Sequence, residues 1–134
     1  MKVGFVSTFG LIRALSAEAI FRKYARLGLI SAEVYSAGVE DCNQSPDILF
    51  EVLSEAGFSI EGLRAKSIKE IPYNELDILI TLSPEARDNC PYLQNHKRRE
   101  HWPLDEVSSQ ARDGIKRVVK NVETHVKTML RIQL

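Results

Sequence analysis

Val3-Gly4-Phe5-Val6-Ser7-Thr8-Phe9-Gly10-Leu11-Ile12-Arg13 is the stretch on which the fold turns. Val3 to Val6 reads as a short buried strand. A polar, glycine-containing turn follows, and the chain then enters a helical pattern at once, with Ala17, Ile20, Phe21, Tyr24 and Leu27 on one face and Gly28 as the stop.

The same alternation continues outward from that stretch. Glu33 to Ser36 reads as a second strand through Val34-Tyr35, with Gly38 marking the turn after it. Ser45-Pro46-Asp47 supplies an N-cap and a first-turn proline ahead of Ile48, Leu49, Val52, Leu53 and Ala56 at helical spacing, and Gly57 ends that helix. Phe58 to Ser67 has no clean period and reads as loop. Asp77 to Thr81 is a third strand whose continuous apolar centre suits a parallel strand covered on both faces. Ser83-Pro84-Glu85 begins a short helix, Arg98 to Trp102 is a fourth strand, and Ile115, Val118, Val119, Val122, Val126 and Met129 form the stripe of a last helix. Strands and helices taking turns predict an α/β fold: a doubly wound four-stranded parallel sheet with helices on both faces.

Composition bounds the function. The 134 residues are one domain's worth of chain, so residues 1–134 are read as a single domain. Eighteen Lys and Arg balance eighteen Asp and Glu, which removes the broad basic footprint of a nucleic-acid or anionic-membrane binder. No run approaches the roughly 18 apolar residues that a membrane span needs. Lys2, the apolar stretch to Ile12 and Ala14-Leu15-Ser16-Ala17 have the outline of a signal peptide, but Ser7, Thr8 and Gly10 interrupt it and Arg13 stands where it should continue. Two cysteines, Cys42 and Cys90, fit a reducing compartment better than a disulfide framework, so a cytoplasmic location is expected.

In a sheet of this kind ligands bind beyond the carboxyl ends of the strands, which directs attention to Ser7-Thr8-Phe9-Gly10-Leu11-Ile12-Arg13. A strand-to-helix turn with successive amides at the positive end of a helix is an anion cradle, and Arg13 adds a planar fork for two oxygens of a phosphate-like ligand. The Lys-Ser/Thr ending of a nucleotide-binding loop is missing, so a nucleoside triphosphatase is not expected. No cofactor is called for, and His96, His101 and His125 have no metal-ligand spacing with the cysteines.

These seven residues resemble the Cys-x5-Arg loop of the low-molecular-weight protein tyrosine phosphatases and the thioredoxin-coupled arsenate reductases, with Ser7 at the position of the nucleophilic cysteine. The resemblance runs along essentially the whole chain. Ala17-Glu18-Ala19 is similar to the start of the family's first helix, and Tyr35-Ser36-Ala37-Gly38 to its second strand and turn. Asp88-Asn89-Cys90-Pro91 is similar to a segment of the arsenate-reductase branch, and His101-Trp102-Pro103-Leu104-Asp105-Glu106 to the loop that carries the general acid. The resemblance implies a phosphatase or arsenate-reductase ancestry, a phosphate-like oxyanion or a phosphorylated protein or peptide as partner, and Glu106, or Asp105 beside it, as the proton donor. A homodimer is left open.

The departures decide what activity to expect. A cysteine thiolate, its pKa lowered by loop amides and arginine, is the family's nucleophile. A serine hydroxyl is a far weaker acid, and the loop has no His or Lys to deprotonate it. Phe9-Gly10 replaces the family's Gly-Asn, although Gly10 still tolerates the left-handed backbone. Ala14 has no hydroxyl to hold a leaving sulfur. Ser83 occupies the middle position of the three-cysteine relay, leaving Cys90 as the sole thiol of that relay and only a weak redox candidate.

Structural readings stand beside the functional ones. Ser7 and Thr8 can be turn hydroxyls, Phe9 and Cys90 packed side chains, and His96-Lys97-Arg98-Arg99 a solvated loop, with His101 and Trp102 anchoring the acid loop by packing. Arg64 or Lys66 could reach the site from the loop before residue 68. The leading expectation is a catalytically impaired relative that binds an oxyanion through Ser7, Thr8, Phe9, Gly10, Leu11, Ile12 and Arg13. One alternative is an active phosphatase or arsenate reductase carrying a Cys-to-Ser change at Ser7. The other is an interaction module with a vestigial loop, favoured by the apolar Phe9, Leu11 and Leu15.

Overall fold

Along the first strand, β1 (Lys2–Ser7), alternate side chains part to two faces. Val3 and Phe5 enter one fully buried apolar cluster and Val6 enters another. The computed structural model describes residues 1–91 and 93–131. After β1 come α1 (Ile12–Leu27), β2 (Glu33–Gly38), α2 (Asp47–Glu55), two 3-10 turns (Ile68–Glu70 and Tyr73–Glu75), β3 (Ile78–Thr81), α3 (Pro84–Asn89), β4 (Arg98–His101) and α4 (Arg112–Leu130). The sheet order is β2-β1-β3-β4 with every pairing parallel, in the register Val3 with Val34 and Ile78, and Ile78 with Arg98.

The larger cluster lies under α1, α2 and α4, where Phe21, Ile20, Leu49, Leu53, Ile115 and Val122 meet Phe5, Ile78 and Ile80. The smaller cluster covers the other face: Leu79 and Val6 pack with Ala86 of α3, Leu76, Ile71 and Cys90. Two covered faces explain the unbroken apolar run of β3, since a strand wetted on one side would alternate. Burying a Leu- or Phe-sized side chain is worth about 1.5–3 kcal/mol, so the α1–α4 side carries most of the apolar stabilisation.

The 58–67 segment is loop, as its lack of period predicts, but it is not free. Phe58 and Leu63 are buried, and the Lys66 ammonium lies among oxygens: Arg64 O at 3.0 Å, Ser36 O at 3.3 Å and Glu18 Oε1 at 3.8 Å. Glu18, buried on α1, also accepts from Ser36 Oγ at 2.5 Å and pairs with Arg22. A buried carboxylate is tolerated only when it is so surrounded. Arg64 pairs instead with Glu70 at 3.2 Å.

Three expectations are corrected. Leu27 is 60% exposed although it keeps the helical spacing of the buried face; Leu29, just beyond, is 94% exposed with a left-handed φ of 55°. Helix α2 starts one residue later than expected, at Asp47, with Pro46 flanking it and Ser45 Oγ accepting from the Asp47 amide at 3.2 Å. The basic run 96–99 is not a solvated loop: Arg98 and Arg99 belong to β4, and the Arg99 guanidinium donates to the carbonyls of Arg87, Cys90 and Pro91. Among the described residues no helix is long and apolar enough to cross a membrane.

Candidate functional site

With β1 ending at Ser7 and α1 starting at Ile12, only four residues make the turn between them. Gly10 sits there at φ +67°, a conformation costly to residues with a Cβ. Its backbone touches that of Gly38 at the end of β2. A Cβ on Gly10 would fall 2.6 Å from Gly38 N, and one on Gly38 would fall 2.4 Å from Phe9 C. The turn's carbonyls are taken by that neighbour: Val39 N donates to Ser7 O at 3.2 Å and Glu40 N to Thr8 O at 2.8 Å. The Gly10 amide donates to Ser7 Oγ at 3.0 Å, whereas the amides of Thr8, Phe9 and Leu11 have no hydrogen-bond partner among the described residues. Unpaired amides at a helix start are free to donate to an anion, as is general for such positions.

Arg13, in the first turn of α1, is only 6% exposed. Its guanidinium donates to Leu104 O and to Thr8 Oγ1, each at 3.4 Å. Burial pushes its pKa down, while the charges of Glu106 and Glu85 push it up. Thr8 Oγ1 is also 3.0 Å from both Ser83 Oγ and Glu85 Oε2, and Ser83 caps α3 by accepting from Ala86 N at 3.1 Å. A cavity of about 30 Å³, room for a small ion, is lined by Ser7, Phe9, Leu11, Ile12, Arg13, Gln44, Glu106 and Val107.

The loop after β4 delivers Glu106. Trp102 is buried against Phe5, stacks on His125 of α4, and donates its amide to Thr81 O at 2.9 Å. Leu104 is buried two residues on, and Val107 packs so closely on Gly114 that a Cβ there would lie 3.0 Å from Val107 Cγ1. His101 adds a 2.9 Å contact from Nδ1 to Thr81 Oγ1. These anchors bring Glu106 to the cavity. Glu106 and Asp105 are both exposed, and only Glu106 lines it.

Other expected participants lie elsewhere. Cys90 ends α3 inside the smaller core cluster, where burial pushes its thiol up, and it does not line the cavity. Lys66 and Arg64 are held by the contacts described above, and neither lines the cavity. Phe9, weighed as a packed side chain, is half-buried and forms part of the cavity wall. Leu11 and Leu15 are buried, which removes them from any docking face, because the helix start turns both into the core. Ala14 is fully buried as well. Gln44 and Glu85 are neighbours of the site that the sequence does not signal: Gln44 sits in a polar turn with no local pattern, and the residues around Glu85 mark only a helix start.

A four-residue strand-to-helix loop followed by a buried arginine, at the switch point of a 2-1-3-4 parallel sheet, is the arrangement of a doubly wound α/β protein with its candidate site at the strand ends. The family model for low molecular weight phosphotyrosine protein phosphatase matches residues 2–133. The arsenate reductase of Bacillus licheniformis is 36% identical over 102 residues, 76% of this chain and 70% of that protein; the one from Bacillus subtilis is 32% identical over the same shares. Among solved structures, a low molecular weight phosphotyrosine phosphatase from Vibrio cholerae O395 superimposes with a TM-score of 0.82 at 18% identity, covering 98% of this chain and 95% of that one. A structure described as an arsenate reductase in the phosphate binding state gives 0.75 at 21% identity, covering 97% and 96%. The chain belongs to the low molecular weight phosphotyrosine protein phosphatase family.

Proposed function

We propose that this chain, acting as one domain over residues 1–134, is an oxyanion-binding member of its family in which the nucleophilic step is impaired. The observation that carries the reading is the pairing of Ser7 with Arg13. The guanidinium and the unpaired amides would hold a tetrahedral anion, while among the described residues the only hydrogen bond of Ser7 Oγ comes from the Gly10 amide and no basic side chain contacts it. An amide donor stabilises an oxygen without removing its proton, so Ser7 binds rather than attacks. Titration calorimetry with phosphate and arsenate, beside an aryl phosphate turnover assay, tests the reading. Binding that is lost in Arg13→Ala, with no turnover, is the expected result; phosphate release that depends on Arg13 refutes it.

The retention of Glu106 at the cavity favours a second reading, a phosphatase or arsenate reductase complete except for its nucleophile. A carboxyl group there can protonate a leaving group once a nucleophile exists. Ser7→Cys then restores aryl phosphate hydrolysis; a folded Ser7→Cys variant that binds phosphate without turning over an ester rules this reading out.

A further inference from the structure

The charge around Arg13 differs from that of a plain anion hole. Glu106 lines the same cavity as Ser7 and Arg13. Glu85 stands behind the loop with Oε2 3.0 Å from Thr8 Oγ1, the atom that also accepts from Arg13 Nη2. Thr8 has one hydroxyl proton and a carboxylate only accepts, so that proton goes to Glu85 and the 3.0 Å contact between Thr8 and Ser83 is donated by Ser83. Thr8 therefore has no proton left for a ligand, and one guanidinium answers to two carboxylates.

A tetrahedral anion with no proton, entering this cavity, meets the Glu106 carboxylate with lone pairs on both sides. Sulfate carries no proton at neutral pH, whereas the monoanions of phosphate and arsenate keep hydroxyl groups that can donate. Resting on the oxyanion reading above, we propose that the site selects protonated tetrahedral oxyanions, phosphate and arsenate monoanions, over sulfate, with the Glu106 carboxylate accepting the ligand's hydroxyl proton as a hydrogen bond. The Glu106 carboxylate is thus a specificity-determining group in the bound state, separate from any role as an acid. Hydrogen bonds to charged groups are strong enough to give about tenfold selectivity or more.

Titration calorimetry with inorganic phosphate and sulfate at neutral pH and fixed ionic strength tests this. The wild-type chain binds phosphate at least about tenfold more tightly than sulfate. In Glu106→Gln, whose amide can donate to sulfate, the ratio falls to within about threefold. In Glu85→Gln both ions bind more tightly and their order is kept, because Glu85 acts on Arg13 and not on the ligand's proton. Equal wild-type affinities, an unchanged ratio in Glu106→Gln, or a ratio that collapses equally in Glu85→Gln each overturns the proposal. Binding of neither ion to the wild type removes the oxyanion reading itself and the selectivity with it.

Discussion

Replacing Gly38 by Ala tests whether the anion loop owes its shape to the strand beside it. The new Cβ would lie 2.4 Å from Phe9 C and 2.5 Å from Gly10 N, about 1 Å inside ordinary van der Waals contact. Both obstacles are backbone atoms, so no side-chain rotation relieves the overlap and the 8–10 segment has to move. Overpacking of this kind costs about 1–3 kcal/mol, and a displacement near 1 Å in an aligned site costs about a hundredfold. Gly4→Ala is the control. Its Cβ would meet Leu76 Cδ1 at 2.5 Å, the movable end of a side chain in the smaller core cluster. Both variants are expected to lower the melting temperature by several degrees, but only Gly38→Ala should lose phosphate affinity by tenfold or more in a calorimetric titration. Wild-type phosphate affinity in a folded Gly38→Ala protein would refute the reasoning, because the loop would then keep its shape without close packing on β2.

Arg13→Lys keeps the charge but not the fork that spans Leu104 O and Thr8 Oγ1, so calorimetry should show phosphate affinity down by at least about tenfold while the fold persists by circular dichroism. Lys66→Met removes the ammonium from its oxygen cage but leaves Glu18 paired with Arg22; denaturant unfolding should register a loss of about 1–2 kcal/mol. A thiol reagent should label Cys42 quickly and Cys90 only as fast as the protein opens, since burial both shields Cys90 and holds its thiol up; equal labelling rates in the native protein would contradict the described core. Leu29→Gly should raise the unfolding free energy read from denaturant melts by up to about 1 kcal/mol, because an almost fully exposed leucine leaves a left-handed backbone position.

The strands and helices are legible in the sequence wherever burial dictates the pattern. β3 reads as a run because both of its faces are covered, and α4 as a stripe because one of its faces is. The turn that carries the candidate site is legible too, since Gly10 and Arg13 mark a short passage from β1 into α1. What stays hidden depends on residues far apart in the chain. Nothing near Gln44 or Glu85 announces the site, and both are brought to it by the ends of different strands. Local pattern also misleads at Leu27, which keeps the helical period in the last turn of α1 yet is mostly exposed, and at 96–99, where like charges look solvated although Arg99 is tied to three carbonyls.

Every neighbour in the sheet is distant in sequence. β1 takes β2 on one side and β3 on the other, and β4 reaches the sheet only through β3. No hairpin exists among these strands to nucleate assembly, so each pairing has to close a long stretch of chain before any ladder bond repays the entropy. During synthesis β1 waits unpaired until β2 emerges, and its second edge stays open until β3 follows. Refolding should therefore run in milliseconds to seconds rather than microseconds, and the exposed edge of β1 is the place where an unfinished chain would meet another.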